Sequence, residues 1–301
     1  MQNHFQYIKS LIDRGGPALD DYPGLDSWIT DVYRDHDDGG VAQNDIEEIR
    51  HTFGDILTPD TMHGMAYCKP HGYAGDYEII DRHYTNYTAS HPHLASWDRY
   101  WQAGPAAKAV RNRKDYFHGL LIRQSHLAGG RPLQVLNIAS GPGRDVLECF
   151  TRHSISANFL CIDQDPHAVA YAQHLCSEFS DRISFLRANV LRFTPSQAYD
   201  VIWAAGLFDY FSDRIFKAIV RRLLPFISPG GQLVIGNFSE QNPNFNWLRF
   251  CKWDLNHRSP EQLMKLAVEA GAAPEDIEVG FESEGVNLFL HIHRRGVRKP
   301  N

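Results

Sequence analysis

Residues 135–148 read VLNIASGPGRDVLE. The apolar run before Ala139 predicts a buried strand, and GRDVLECFTRH after the turn predicts an amphipathic helix. Small residues link them, with glycine at Gly141 and Gly143 and Ala139 in the first small-residue slot. A strand–turn–helix of this kind brings backbone N–H groups close to a ligand at the carboxyl edge of a sheet. It is not a full G-x-G-x-x-G, and a tight connection with two glycines is the competing reading.

The flanking sequence adds weight. Downstream, NFLCIDQD ends a second strand with Asp163, placed to accept two ribose hydroxyls, while Asp165 is suited to cap the helix that Pro166 begins. The next strand runs into RANVLRF, where Asn189 is placed to pair with an adenine edge, and YDVIWAAG supplies a fourth strand with small residues where a flat ligand fits. DRIFKAIVRRLLPFI and GGQLVIGNF continue the alternation of helix and strand, which implies a mainly parallel sheet with helices on both faces. After the irregular stretch NFNWLRFCKWDLNHR come a helix, SPEQLMKLAVEAGA, and two strands, IEVGFESE and VNLFLHIHR, whose short link predicts an antiparallel hairpin. Before Pro132 the chain is helical, aromatic and rich in histidine, with no convincing strand. This predicts an N-terminal helical lid over residues 1–104 and a Rossmann-like core over 105–301.

Composition narrows the function. The net charge of −6 and isoelectric point near 6.2 give no electrostatic footprint for nucleic acid, and no basic run points to a membrane surface. No window approaches the ~20 apolar residues of a membrane span, and the N-terminus lacks a secretory pattern, so a cytoplasmic enzyme acting on a small molecule is expected. The five cysteines are scattered and read as free thiols. Sixteen histidines invite a metal reading, but H-P-H at 91–93 and H-I-H at 291–293 stand in unrelated contexts, and no metal is expected.

Together, these elements over roughly residues 105–295 resemble the class I S-adenosylmethionine-dependent methyltransferase superfamily. The resemblance implies a mainly parallel seven-stranded α/β sheet with a reversed last strand, and S-adenosylmethionine as cofactor or sole substrate. It implies Asn137, Ala139, Ser140, Gly141 and Gly143 at the methionine and sulfonium side, Asp163 at the ribose, and Asn189 with Val190 at the adenine. Asn137 departs from the family's usual acid and removes a fixed negative charge beside the amine.

Four further strings, KPHGYAGDYEIIDRHY, AAKAVRNRKDYF, NIASGPGRDVLE and KWDLNHRSPEQL, resemble the bacterial family of 3-hydroxypalmitic acid methyl ester biosynthesis proteins. Within that neighbourhood they are similar to the azetidine-2-carboxylic acid synthases. That resemblance implies cyclisation of S-adenosylmethionine with release of 5'-methylthioadenosine, in secondary-metabolite biosynthesis. The alternatives are methyl transfer to a carboxylate or hydroxyl of a small or fatty-acyl substrate, and a non-catalytic S-adenosylmethionine-binding module.

Cyclisation calls for aromatic faces near the cation. Tyr73 and Tyr77 in the glycine-bracketed turn, and Trp203 at the end of the fourth strand, are the candidates. Arg111 and Arg113 are candidates to pin the amino-acid carboxylate through a guanidinium fork. Each has a competing structural reading: packing for the aromatics, a solvated helix face for the arginines, and helix capping rather than base catalysis for Asp76.

Overall fold

The computed structural model describes residues 2–295. The chain divides into two compact units, one formed by Met1–Lys108 with Pro243–Asp254, the other by Ala109–Asn242 with Leu255–Asn301. The expected boundary at 104/105 treats the two parts as consecutive. In the structure the first unit ends within a helix and takes back the later segment 243–254.

The first unit contains α1 (Gln2–Asp13), α2 (Tyr22–Asp37), α3 (Gln43–Phe53), α4 (Met62–Cys68), α5 (Tyr77–Tyr84), α6 (Pro92–Ala103) and the start of α7 (Pro105–Leu127). In α2, Leu25, Trp28, Ile29, Val32 and Tyr33 are buried, the i, i+3, i+4, i+7, i+8 stripe of a helix packed on one side. The core is largely aromatic. Trp28 lies 6.0 Å from Trp247, and Phe53 lies 5.1 Å from Phe250, so the returning helix α11 (Phe245–Phe250) supplies two of its rings. Arg50, only 4% exposed, donates to the carbonyls of Arg249 and Phe250 and ties α3 to the end of α11. His63 is buried among Trp97, Tyr100, Trp101 and Trp247 with no hydrogen-bond partner among the described residues, and burial pushes its imidazole down to about 3.

The second unit is a seven-stranded sheet. Its strands are β1 (Leu133–Ile138), β2 (Ala157–Asp163), β3 (Ile183–Arg187), β4 (Tyr199–Ala205), β5 (Ile227–Phe238), β6 (Ile277–Phe281) and β7 (Asn287–His293), in the order β3-β2-β1-β4-β5-β7-β6. The first five are parallel and β7 is antiparallel to both neighbours, matching the expected reversed last strand and closing hairpin. Residue alternation divides the core. Leu136, Ile138, Ile202 and Ala204 pack with Phe216 and Val220 of α10 (Asp213–Leu223) and Leu263 of α12 (Pro260–Ala270). Val135, Val201, Trp203 and Phe289 pack with Phe117 and Leu121 of α7 and Val146 of α8 (Arg144–Thr151). The strand order reverses between β1 and β4, with β1 and the carboxyl ends of its neighbours at the crevice where open α/β sheets bind ligands.

Candidate active site at the carboxyl edge of the sheet

The turn after β1 has the expected form and more tension than its sequence implies. Ala139 takes φ +53°, a left-handed conformation costing a non-glycine residue about 1–2 kcal/mol. Residues so held cluster at ligand sites, where the surrounding structure over-determines them. Gly141 also has positive φ, and a Cβ there would meet nothing within 4 Å, so the backbone faces open space. At Gly143 the need is different. Its missing Cβ would lie 3.1 Å from that of Ala172 on α9 (Pro166–Leu175), so glycine permits close packing of turn and helix.

Asp163, at the end of β2, binds this turn from the side. Its Oδ2 accepts from the Gly141 N–H at 3.0 Å and its Oδ1 from the Asp165 N–H at 3.0 Å. Burial raises its carboxyl, against the lowering effect of those backbone donors. Asp165 caps α9 by accepting from the His167 N–H, as its place before Pro166 implied. Asn189 is exposed after β3, with half-buried Val190 beside it; its Oδ1 accepts from the Leu191 N–H at 2.8 Å. Ser140 is buried, and its Oγ has no hydrogen-bond partner among the described residues. An unfilled buried hydroxyl, an open glycine and a strand-end carboxylate fit the methionine and ribose portions of S-adenosylmethionine.

Beneath the turn lies a group absent from the sequence-based selection. Asp145, in the first turn of α8, is 7% exposed, and its Oδ2 lies 3.4 Å from the Nδ2 of Asn137, which is 2% exposed. Burial pushes the Asp145 carboxyl up to about 6, opposed by the Val146 N–H, the Arg113 guanidinium and Asn137. His118 donates from Nε2 to the Asp145 carbonyl at 2.8 Å, and the buried Lys114–Glu148 pair, 2.7 Å apart, joins α7 to α8. The available signal was an acid two residues after the last glycine, next to a neutral Asn at the strand end.

Arg113 belongs to this cluster. A Cβ on Gly206, just past β4, would sit 2.6 Å from its guanidinium, and its charge lowers the carboxyls of both Asp145 and Asp209. Arg111, half-buried on the same helix, has Glu284 on the β6–β7 connection among its charged neighbours.

Trp203 is corrected too. Its ring is stacked between Phe117, 4.6 Å away, and Phe289, 5.5 Å away, and is 2% exposed. Alternation along β4 points it into the packed face under α7, so it is a core ring rather than an open cation-facing one. Arg258 is likewise structural: it donates to the Phe208 and Phe211 carbonyls, to Asn237 Oδ1 and to Asp213.

Tyr73 and Tyr77 belong to the first unit. Gly72 and Gly75 take φ +86° and +70°, forming the shaped turn that the sequence implied. Both tyrosines are half-buried, and the Tyr77 ring lies 4.7 Å from that of His71. Asp76 accepts from the Glu78 and Ile79 N–H groups as the N-cap of α5, which is the structural reading of that residue.

Comparison with known proteins agrees with this fold. Residues 135–231 match the family model described as a methyltransferase domain. Over 123 residues the chain is 28% identical to the alpha N-terminal protein methyltransferase 1 of Drosophila melanogaster, covering 38% of this chain and 42% of that protein. The chain thus spans about two fifths of that relative's length. Among solved structures, a possible exported protein from Bordetella parapertussis has a TM-score of 0.61 at 20% identity, covering 73% of this chain and 80% of that one. The magnesium protoporphyrin IX methyltransferase of Synechocystis PCC 6803 with bound S-adenosylhomocysteine has a TM-score of 0.51 at 15% identity, covering 73% and 100%. With a sheet reversed only at β7, the chain has the α/β fold of these solved structures, and its segment 135–231 is similar to the methyltransferase-domain family.

Proposed function

We propose that this protein is an enzyme that cyclises S-adenosylmethionine to azetidine-2-carboxylic acid and releases 5'-methylthioadenosine. When bound, S-adenosylmethionine supplies a sulfonium whose γ-carbon its own amine can attack, forming the N–Cγ bond as the Cγ–S pair returns to sulfur. The reaction requires a neutral amine, so an ammonium proton must leave.

The observation that carries the reading is the buried carboxyl of Asp145 beside Asn137. An acid at the strand end would hold the ammonium charged; a neutral amide there, with a carboxyl raised to about 6 behind it, suits proton removal. Asp145 takes the role of base, and Asn137 that of orienting the amine. Arg113 holds the carboxylate. Asp163 takes the ribose hydroxyls, Asn189 with Val190 the adenine, and the turn 139–143 the methionine chain. Tyr73 and Tyr77 are assigned to the sulfonium on the strength of their residue type and turn, since each cation–π contact contributes about 0.5–2 kcal/mol. Most of the rate then comes from positioning.

The test is incubation of the purified protein with S-adenosylmethionine alone. Methylthioadenosine and the cyclic imino acid should appear in equal amounts. The second reading, methyl transfer to a carboxylate or hydroxyl of a small or fatty-acyl substrate, is supported by the methyltransferase domain match. It requires S-adenosylhomocysteine to form only when an acceptor is present, and that outcome would displace the first reading.

A further inference from the structure

At the other end of the sheet, remote in register from the cofactor turn, three side chains of metal-ligand type meet. Glu278 on β6 pairs across the ladder with His291 on β7, and His293 lies on the same face two residues on. One donor atom from each lies within 4.8 Å of the others. His293 Nε2 is 3.1 Å from Glu278 Oε1. The flanking pair Gln232↔His293 lies well before the end of β5, whereas the cofactor elements follow the carboxyl ends of β1, β2 and β3.

The ring of His291 is held in one tautomer by a chain of hydrogen bonds with a fixed direction. The Gly230 carbonyl can only accept, so Gln124 presents its Nε2 to it at 2.8 Å and turns its Oε1 to Gln232. Gln232 therefore donates to Gln124 at 3.3 Å and presents its own Oε1 to His291 at 2.8 Å. An amide oxygen can only accept, so His291 Nδ1 carries the proton and Nε2 carries the lone pair. That lone pair now accepts from the Tyr116 hydroxyl at 2.7 Å, a contact that the missing side chain of Gly280 makes room for. Metal-bound histidines are oriented in this way, with the second nitrogen donating to a fixed acceptor. Gln124, Gln232 and His291 are each less than a tenth exposed, so the supporting chain is built into the core.

We infer that Glu278, His291 and His293 form a zinc-type divalent metal site, separate from the active site, that clamps β6 to β7. Two imidazoles and one carboxylate are ligands suited to zinc, at about 2.0–2.2 Å each, which places donors about 3.3 Å apart in a tetrahedral set. The exposed Glu278 and partly exposed His293 can close to that spacing by side-chain rotation, while His291 stays in place. The Tyr116 hydroxyl gives up its bond to Nε2 or moves beside the ion as its neighbour. Arg123 is a nearby cation whose charge disfavours protonation of His291.

The full-length protein, stripped with a chelator and dialysed, is titrated with zinc chloride alone, with bound metal counted by elemental analysis and unfolding followed by heat. One zinc per chain and a rise in the melting temperature are expected. Glu278→Gln with His293→Ala should weaken zinc binding at least tenfold and remove the thermal shift; both side chains are partly exposed, so the variant keeps its core. His91→Ala with His93→Ala, a histidine pair elsewhere, should leave stoichiometry and affinity unchanged. S-adenosylmethionine affinity, measured in parallel, should be the same with and without zinc. No stoichiometric zinc, or zinc lost with the 91/93 pair and retained without Glu278 and His293, overturns the site.

Discussion

Asn137 and Asp145 meet beside the turn that follows β1, the amide nitrogen of one 3.4 Å from a carboxylate oxygen of the other, both almost fully buried. At this distance the hydrogen bond is weak, and the Asp145 Oδ2 atom retains capacity for a proton.

Asp145→Asn keeps the shape and removes the base. Methylthioadenosine formation from S-adenosylmethionine should fall about 10²–10⁴-fold, the range of general-base contributions. S-adenosylmethionine binding by calorimetry should change by less than about tenfold. Retained turnover would exclude Asp145 as the base.

The pH dependence follows from the same carboxyl. Burial holds it at about 6 in the folded chain, above its ordinary 3.8. Below pH 4 it is protonated whether folded or not; between 4 and 6 only the folded chain keeps the proton, so its contribution to stability declines as pH rises through that window and is constant above. Activity should run the other way, increasing with pH through about 6 as the base becomes free. Asp209, also pushed by burial to about 6, is engaged by the Phe238 N–H rather than by Asn137. Asp209→Asn should therefore leave the rising limb in place, read from initial rates between pH 5 and 8.

Asp163→Ala removes both the proposed ribose contact and the bond to the Gly141 N–H. S-adenosylmethionine affinity should drop at least tenfold, about 1.4 kcal/mol or more. Affinity equal to wild type by titration calorimetry would mean that the ribose is held elsewhere.

Tyr73→Phe and Tyr77→Phe keep the rings and remove the hydroxyls. If the rings hold the sulfonium, the phenylalanine variants should turn over within about threefold of wild type and the alanine variants fall by tenfold or more. Full activity in all four variants would release both residues from any catalytic part.

Arg258→Met removes donors from the Phe208 and Phe211 carbonyls and from Asn237 inside the core. Urea unfolding should show a loss of about 2–4 kcal/mol, because buried acceptors are left without donors. A loss under about 0.5 kcal/mol would mean that water replaces the guanidinium freely.

What was legible in the sequence was what repeats locally. The apolar runs of β1, β2, β4 and β5, the turn at 139–143, and Asp165 before Pro166 each carry their instruction within a few residues, and the sheet followed from their order. Asp76 was legible as a cap for the same reason. Trp203 was not, because a tryptophan near a strand end reads alike whether its ring faces a ligand or Phe117; only the face on which α7 lies decides. The role of Asp145 depends on Asn137 and Arg113, brought to it from a strand and from another helix. H-I-H at 291–293 carried no metal signal in the sequence, because the acid opposite it, Glu278, is brought to His291 only by cross-strand register.

The return of residues 243–254 to the first unit has a consequence for how the protein is made. A ribosome that has released only the first 108 residues has not supplied Trp247 and Phe250, so Trp28 and Phe53 wait without two of their aromatic neighbours. Synthesis must pass through the five parallel strands before the earlier unit is complete, and β6 and β7 emerge later still. Neither unit is a contiguous cassette, and no single cut in the gene separates them.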